Sequence, residues 1–539
     1  MNKKERFYKL LEENEFVFLD GGMGTMLQKS GLKTGEVPEL LNIDQPELIT
    51  SVHKAYVDAG SQIVYANTFG ANSYKMAETG KTVDELISAA IKNARKAAGD
   101  KALVALDVGP IGQLLEPTGT LKFEEAYDYF KEEMLAGKDA DVIVIETMTD
   151  LYEAKAALLA AKENTDLPVI VTMTFEQNLR TFTGCSVGAM ALTLEGLGAD
   201  AVGVNCSLGP REFAPVIEEL SKWTKLPIVA KPNAGLPNPV TNEYDVTPEE
   251  FAESATKLVK YGIKLTGGCC GTNPDYIRAL KKALEPLRYE KNTPMCEAAV
   301  CSAEKVVVIN QPRIIGERIN PTGKKLFKEA LRKGDIDYIL GQAIEQSQAG
   351  AEILDVNVGL PEIDEKAMMV RTVKALQGVT DLPLQIDSTI PEVIEAALRV
   401  YNGKAIVNSV NGEAGSMEKI LPIVKKYGAA VVGLTLDEDG IPKTAEKRFE
   451  IAERIMNKAI EMGISKENIF IDCLTLTASA EQANVMKTVE ALHRVKTELG
   501  LKTVLGVSNI SFGLPNRELI NCNFLQMCLT NGLDLPIMN

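Results

Sequence analysis

This sequence has few histidines and no excess of positive charge. Its 539 residues include two histidines, and its 58 lysines and arginines are outnumbered by 74 aspartates and glutamates, which gives a formal net charge of −16. A surface that binds nucleic acid or anionic lipid needs clustered basic side chains, so we expect neither partner. No run of apolar residues approaches the roughly 18 that a membrane-spanning helix needs. A globular protein that binds small molecules is the class that remains.

The amino terminus also has no apolar core. Residues 1–6 read Met-Asn-Lys-Lys-Glu-Arg and lead into a charged helical stretch, which is unlike a secretory signal. The nine cysteines are irregularly spaced, and this fits reduced thiols better than a disulfide framework. We therefore expect a cytoplasmic protein.

Apolar segments alternate with helical patterns in a way that predicts the fold of the first half. Eight units of strand and helix predict a parallel (β/α)8 barrel, an α/β fold. An open doubly wound sheet is the alternative, but it usually has about six strands, and Gly21-Gly22-Met23-Gly24 lacks the glycine spacing of a phosphate-binding turn. The eight predicted strands lie in Phe16–Asp20, Ile63–Phe69, Leu103–Val108, Val142–Thr147, Val169–Thr174, Ala201–Cys206, Ile228–Pro232 and Lys264–Gly268.

A second series of eight apolar segments follows a polar stretch. We predict a first barrel at residues 1–288, a linker at 289–312 and a second barrel at 313–539. The sequence stops directly after the last segment, so the second barrel is expected to lack its final helix. The eight segments are Arg313–Ile319, Ile353–Val358, Leu382–Asp387, Ala405–Val410, Val431–Leu436, Ile469–Cys473, Val504–Ser508 and Leu535–Met538.

Three cysteines end two strands of the first barrel. Cys206 ends the sixth strand, and Cys269 and Cys270 end the eighth. Adjacent cysteines do not form a relaxed disulfide, because their Cα atoms are about 3.8 Å apart and a disulfide spans roughly 4.4–6.8 Å. The carboxyl ends of barrel strands share one mouth, and three thiolates leave tetrahedral Zn²⁺ one open position for a substrate. The sequence predicts a zinc site here; the alternative is that the paired cysteines are small buried apolar residues.

Polar side chains end most strands of the second barrel. Asp and Asn together supply the hydrogen-bond acceptors and donors that hold a flat heterocycle with an amino-pyrimidinone edge. Each one alone could be a cap or turn residue, but their number favours a binding site. They are Glu317, Asn320, Asp355, Asn357, Asp387, Asn408, Asp472 and Asn509.

Short motifs in both halves resemble known families. The first half resembles the zinc-dependent homocysteine S-methyltransferases and the second half resembles the pterin-binding methyltetrahydrofolate methyltransferases. In this order, the two resemble the amino-terminal half of the cobalamin-dependent methionine synthase family. The first set of motifs is Asp20–Thr25, Asn67–Phe69, Gly203–Ser207 and Gly267–Gly271; the second is Gly316–Asn320, Asp355–Asn357, Ile386–Ser388, Asn408–Ser409 and Gly506–Gly513.

The resemblance implies a methyltransferase of methionine biosynthesis. Zinc would be held by the three cysteines and would activate the homocysteine thiol. Methyltetrahydrofolate would be bound by the eight polar residues of the second barrel, with Asn509 and Asp472 in catalytic roles at N5. Cobalamin would carry the methyl group on a separate module or be supplied externally, because no segment resembles a cobalamin-binding one. Homocysteine would be held by Asp20, Gly21, Gly22, Thr68 and Glu146, although a structural salt bridge is the alternative for Glu146.

Two other functions remain open from the residues. One is a cobalamin-independent homocysteine S-methyltransferase whose second barrel is only structural. The other is a non-catalytic module that binds zinc and pterin and serves as a docking platform. Binding of folate separates these alternatives.

Overall fold

The computed structural model describes residues 1–33, 35–236, 244–295 and 297–539. The chain forms two compact units, Met1–Met295 and Cys296–Asn539. No helix in the described ranges is both long enough and apolar enough to cross a bilayer.

The first unit contains a barrel of eight parallel strands, as predicted. The strands pair in chain order from the second to the eighth, and the eighth pairs with the first. A bridge between Leu19 and Ile63 joins the first and second strands and completes the ring. The strands are β1 (Val17–Phe18), β2 (Ile63–Tyr65), β3 (Leu103–Val108), β4 (Val142–Met148), β5 (Val169–Met173), β6 (Ala201–Asn205), β7 (Ile228–Lys231) and β8 (Ile263–Thr266).

Helices of the first unit begin at residues that suit helix starts. Thr82 and Glu85 form a capping box before one helix, and Asn273 caps the last helix of this unit with Pro274 in its first position; both arrangements favour a helix start. The helices are α1 (Lys3–Glu13), α2 (Met23–Lys29), α3 (Leu41–Asp44), α4 (Pro46–Ala59), α5 (Ser73–Met76), α6 (Val83–Ala98), α7 (Phe123–Ala136), α8 (Leu151–Asn164), α9 (Val187–Gly196), α10 (Phe213–Ser221), α11 (Pro248–Thr256) and α12 (Pro274–Leu284), with 3₁₀ turns at Pro38–Leu40 and Val259–Tyr261.

Helix α1 covers the amino-terminal end of the first barrel. Its buried Phe7 and Leu11 belong to the same apolar cluster as Ile63, Leu103 and Val142, the first residues of β2, β3 and β4. Burying these side chains stabilises the closed ring. The opposite end, where the strands finish, is left for polar residues.

The second unit contains a closed barrel of eight parallel strands. A short three-stranded antiparallel sheet accompanies it. The strands are β9 (Ala299–Ser302), β10 (Val306–Val308), β11 (Ile315–Ile319), β12 (Ile353–Val356), β13 (Leu384–Asp387), β14 (Gly403–Lys404), β15 (Ile406–Asn411), β16 (Ala430–Leu434), β17 (Ile469–Asp472), β18 (Lys502–Gly506) and β19 (Leu535–Met538). The barrel order is β11, β12, β13, β15, β16, β17, β18 and β19, and β19 pairs with β11.

Helices connect the strands of this second barrel, and β19 is the last element before Asn539. They are α13 (Lys325–Lys333), α14 (Ile336–Gln348), α15 (Glu365–Leu376), α16 (Pro391–Val400), α17 (Ala414–Tyr427), α18 (Ala445–Glu461), α19 (Gln482–Arg494) and α20 (Arg517–Thr530), with 3₁₀ turns at Lys466–Asn468 and Val507–Ser511 and a π-helical turn at Val495–Leu499.

Part of the segment predicted as a linker is folded onto the second barrel. Strands β9 and β10 pair antiparallel, and β9 also pairs with β14. Val300 and Val307 of this hairpin lie in one apolar cluster with Ile315 and Ile353, the first residues of β11 and β12. The hairpin therefore covers the amino-terminal end of the second barrel, as α1 does in the first.

Candidate functional site

The three cysteines predicted to bind metal lie together at the carboxyl end of the first barrel. The Sγ atoms of Cys206, Cys269 and Cys270 are within 4.8 Å of one another, and no other group of three metal-ligating side chains was found in the described part of the chain. Sulfurs on one tetrahedral zinc, at about 2.3 Å each, lie about 3.8 Å apart. The donor set and its spacing therefore fit a zinc ion.

The segment that ends β7 fixes the backbones of all three cysteines. Cys206 follows β6 in a left-handed backbone conformation with φ of 60°. The N–H groups donate to three successive residues: Cys206 to the carbonyl of Lys231 at 3.1 Å, Cys269 to that of Pro232 at 2.9 Å, and Cys270 to Oδ1 of Asn233 at 3.1 Å.

Asn205 links the cysteines to two neighbouring strands, a role the sequence did not predict. Its Oδ1 accepts from the N–H of Thr147 and the hydroxyl of Thr172, both at 2.8 Å. Its Nδ2 donates to Oγ1 of Thr147 at 2.7 Å and lies 3.9 Å from Sγ of Cys269. Because the amide is wholly buried, it holds Cys269 in one orientation.

The thiols are coupled to one another. Hydrogen bonding by Cys269 and Cys270 lowers the pKa of Cys206 to about 3, and contact with Cys206 raises the pKa of Cys270 to about 11. The cluster therefore concentrates negative charge on one sulfur. A divalent cation would favour release of the remaining protons, since thiolate is the ligating form.

Beside the cysteines is a cavity of about 210 Å³, and four of the five residues that the sequence analysis assigns to homocysteine line it: Asp20, Gly21, Gly22 and Glu146. A Cβ on Gly22 would lie 2.9 Å from the carbonyl oxygen of Cys269. The missing side chain therefore lets the segment after β1 approach the cysteines.

Thr68, the fifth residue assigned to homocysteine, lies behind the lining of this cavity. It is wholly buried, and it is not among the residues that line the cavity. Its hydroxyl donates to the carbonyl of Asp107 at 2.7 Å and accepts from the N–H of Asp107 at 3.1 Å. Thr68 therefore positions the backbone of Asp107.

Asp107 lines the cavity and was not identified from the sequence. Its Oδ1 is buried and has no hydrogen-bond partner in the described residues. Burial and the neighbouring Glu146 raise the pKa of Asp107 well above its usual range. Asp107 lies near the carboxyl end of β3. Carboxylates at strand ends indicated a binding site in the second barrel, and the same pattern could have identified Asp107 from the sequence.

Lys231 is the second lining residue that the sequence did not reveal. Its Nζ lies 3.5 Å from Oδ1 of Asp20 and 3.4 Å from Oε2 of Glu146. Burial raises the pKa of Asp20 to about 6. Glu146 thus forms the structural salt bridge considered as its alternative and also lines the cavity.

Four of the residues predicted at the second mouth form one hydrogen-bonded group. Asp355 accepts from Nε2 of Gln385 at 2.7 Å and from Asn408, and Asp387 interacts with Asn357. Burial raises the pKa of Asp387 to about 6, and burial with the nearby Asp387 raises that of Asp355 well above its usual range. Gln385 was not predicted, and its wholly buried side chain connects two strands.

Asp472 and Asn509 occupy adjoining strand ends. Asp472 is buried at the end of β17, and its carboxylate accepts from the backbone N–H of Leu474 at 2.7 Å and from that of Gly506. Burial raises the pKa of Asp472 to about 7. Asn509 is exposed in the turn after β18. A Cβ on Gly506 would lie 2.8 Å from Nδ2 of Asn509, so the glycine permits this close approach.

The remaining two predicted residues have local partners. Glu317 accepts from the hydroxyl of Ser508 at 2.9 Å, which joins β11 to the segment after β18. Asn320 accepts from the N–H of Thr322 at 2.9 Å. That contact is the turn role that any single Asn could have had.

Arg448, also not predicted, supports the segment behind Asp472. The side chain is wholly buried. Its guanidinium donates to the carbonyls of Cys473 and Leu474 at 3.0 and 3.2 Å and to the hydroxyl of Thr488 at 2.6 Å. These bonds fix the direction in which the chain leaves β17.

Both halves of the chain match known families. Residues 17–284 match the family described as homocysteine S-methyltransferase, and residues 316–539 match the family described as pterin binding enzyme. The methionine synthases of Mycobacterium leprae and Mycobacterium tuberculosis are 34% and 33% identical to this chain over 569 and 560 residues, which is 96% of this chain and 47% of each relative. The chain therefore spans about half the length of the curated relatives it matches.

Among solved structures, the metallated form of an Escherichia coli homocysteine methyltransferase is similar to the first half. It is 24% identical, with a TM-score of 0.46, and the match covers 51% of this chain and 98% of that chain.

The raised pKa of Asp472 predicts a dependence of stability on pH. Its pKa is about 7 in the folded protein and about 3.9 in the unfolded chain. The folded state therefore holds this proton more tightly, and the resulting gain in the free energy of unfolding is fully present below about pH 4 and is lost as the pH rises through 7. Asp472→Asn removes this loss. We expect the variant to gain stability relative to the wild type between pH 5 and pH 8, as measured by urea unfolding.

The exposed Asp439→Asn is the matched control and should follow the wild type at both pH values. An Asp472→Asn variant whose stability difference from the wild type is the same at pH 5 and pH 8 would contradict the prediction.

Proposed function

We propose that the two halves of this chain transfer a methyl group from methyltetrahydrofolate to homocysteine to form methionine. The first half matches the homocysteine S-methyltransferase family and the second the pterin-binding family. A cobalamin carrier outside the two barrels acts as a substrate of each. The observation that carries the proposal is the three-cysteine cluster beside a cavity lined with carboxylates, on the same chain as a barrel mouth of Asp and Asn side chains.

In the first barrel, Cys206, Cys269 and Cys270 hold Zn²⁺, for which thiolates are preferred ligands. When bound, zinc lowers the pKa of a coordinated thiol, so that homocysteine is present as the thiolate at neutral pH. Asn205 and the backbone of β7 keep the three sulfurs in place. The protein therefore supplies a fixed position for the nucleophilic sulfur.

The amino-acid end of homocysteine carries an ammonium group that suits the acidic cavity. Asp20, Asp107 and Glu146 line the cavity together, and a buried ammonium requires anionic or hydrogen-bonding partners. Asp107 is well suited to accept from it, because its buried Oδ1 has no partner in the described residues. The carboxylates thus orient the substrate with its sulfur toward the cysteines.

In the second barrel, the methyl group on N5 of the folate leaves only when N5 gains positive charge. A general acid for this step needs a pKa near the working pH. Asp472, with a pKa of about 7, meets this requirement and supplies the proton directly or through water, and Asn509 lies at the adjoining strand end. Asp355, Asp387 and Asn408 hold the pterin edge, since raised pKa values leave acids able to donate as well as accept hydrogen bonds.

The zinc site predicts the metal content of the chain. Purified protein should hold one zinc ion per molecule, and Cys206→Ala, Cys269→Ala or Cys270→Ala should each lose it, because each removes one of three thiolates. Elemental analysis of the purified variants measures this. The exposed Cys522→Ala is the control and should keep its zinc; full zinc content in Cys269→Ala and Cys270→Ala would rule out a site of three thiolates.

The pterin site predicts which substitutions weaken folate binding. Asp387→Ala and Asn408→Ala each leave hydrogen bonds to the heterocycle unmade, at a cost of about 1–3 kcal/mol, so the Kd for methyltetrahydrofolate should rise about tenfold or more. Calorimetric titration measures the change, and zinc content should stay as in the wild type. Asp439→Ala and Asn523→Ala, both exposed, are matched controls.

A wild-type chain that binds no folate would favour a cobalamin-independent homocysteine S-methyltransferase whose second barrel is only structural. Unchanged affinity in both variants would show that the folate binds elsewhere.

The whole reaction is tested by its two halves. The two substrates alone should give no methionine, because direct transfer requires the sulfur and the methyl within about 3–3.5 Å and each reactive centre belongs to its own barrel mouth. Added methylcobalamin should convert homocysteine to methionine in a zinc-dependent way, and reduced cobalamin should demethylate the folate. Product analysis by mass spectrometry measures both half-reactions. Methionine formed without any corrinoid would contradict the carrier mechanism.

A further inference from the structure

A buried lysine lies between the acids of the first barrel mouth. Lys231 is 2% exposed, and its Nζ lies 3.5 Å from Asp20, 3.4 Å from Glu146 and 3.6 Å from the centroid of the Tyr65 ring. A buried ammonium is costly unless its charge and its donors are matched. Two carboxylates and one aromatic face surround this group and offset the cost of burying its charge.

The groups that surround Lys231 favour one role over another. An amino-acid substrate also carries a carboxylate, and a lysine in an acidic cavity is the obvious partner for it. Because Nζ already contacts Asp20, Glu146 and the ring of Tyr65, a role through these neighbours is favoured over a direct contact with the substrate.

Carboxyl groups outnumber cationic groups in the lining of the cavity. Among the residues that line it are four acids, Asp20, Glu39, Asp107 and Glu146, and one cation, Lys231. One oxygen of Asp107 is buried without a partner in the described residues. A substrate ammonium beside the thiol site would supply the missing donor, and its charge would favour the ionised form of these acids.

We propose that Lys231 is a positioning residue that makes the first barrel selective for thiols carrying an ammonium group. It does so by fixing Asp20 and Glu146 where they and Asp107 accept from that ammonium. The inference rests on the proposed function, because it deepens the account of how homocysteine is held. Lys231 contacts two acids from strand ends on either side of the mouth, since Asp20 follows β1 and Glu146 lies in β4.

The neighbouring contacts support this role. The second oxygen of Asp20 accepts from the N–H of Tyr65 at 2.7 Å, so Lys231 and Tyr65 together determine the orientation of that carboxylate. The charge of Lys231 also opposes the rise that burial causes in the pKa of Asp20. An ionised carboxylate accepts hydrogen bonds at both oxygens, whereas a protonated one does not.

The test uses the full chain loaded with zinc and three thiol ligands. Homocysteine carries both an ammonium and a carboxylate, 4-mercaptobutanoate lacks the ammonium, and 3-mercaptopropylamine lacks the carboxylate. In Lys231→Met, calorimetry should show about tenfold weaker binding of homocysteine and of 3-mercaptopropylamine. The affinity for 4-mercaptobutanoate and the zinc content should stay within about twofold of the wild type, and Lys231→Arg should restore part of the loss.

Other results would overturn the proposal. Equal weakening of all three ligands would show a structural effect alone, and weakening of homocysteine and 4-mercaptobutanoate together would show a direct contact with the carboxylate. Unchanged binding of all three would show that Lys231 has no part in selectivity. A wild-type chain that binds none of the thiols would instead overturn the proposed function, which keeps the two failures distinguishable.

A second variant covers the case in which Lys231→Met fails to fold or loses zinc. Lys231→Met combined with Glu146→Gln removes the cation together with one of its partners, which is less costly than leaving a buried charge unpaired. If Lys231 acts through Glu146, the double variant should discriminate among the three ligands as Glu146→Gln alone does. A further loss of selectivity in the double variant, beyond the single Glu146→Gln, would contradict that route.

Discussion

Closure of each parallel strand ladder is the constraint on which both sites depend. A closed ring brings the carboxyl ends of all its strands to one mouth, whatever their separation in sequence. Cys206 and Cys269 are brought within 4.8 Å in this way, although strands β7 and β8 and helices α10 and α11 lie between them. The first ring closes through a strand of two residues and a single bridge between Leu19 and Ile63, so its thinnest point lies directly before Asp20.

Burial of charge gives the two mouths different chemistry. In the first, Lys231 lies between the buried carboxyl groups of Asp20 and Glu146, in a cavity that Cys269 and Cys270 also line. In the second, burial raises the pKa values of Asp387 and Asp472 to about 6 and 7. Acids that are partly protonated near neutral pH can donate as well as accept hydrogen bonds, which suits a heterocycle that does both.

The opposite end of each barrel is closed by a separate element. Helix α1 places Phe7 against the first barrel, and the hairpin of β9 and β10 places Val300 against the second. The sequence predicts a charged helical stretch where the helix lies. The hairpin lies in the segment that the sequence predicts as linker: its strands have only four and three residues, and they are stabilised by contacts with the barrel and not by a pattern of their own.

The sequence alone determined the two barrels and the three cysteines, because apolar period and residue type at strand ends are local properties of the chain. It also identified Asp20, Glu146 and the acids of the second mouth. Only the tertiary structure decided which of these side chains face a cavity: Thr68 turned toward the backbone of Asp107, while Lys231, Asp107, Asn205, Gln385 and Arg448 acquired their roles through contacts with other strands. A lysine that ends an apolar strand looks exposed in sequence, and it is the closed ring that buries it between two carboxylates.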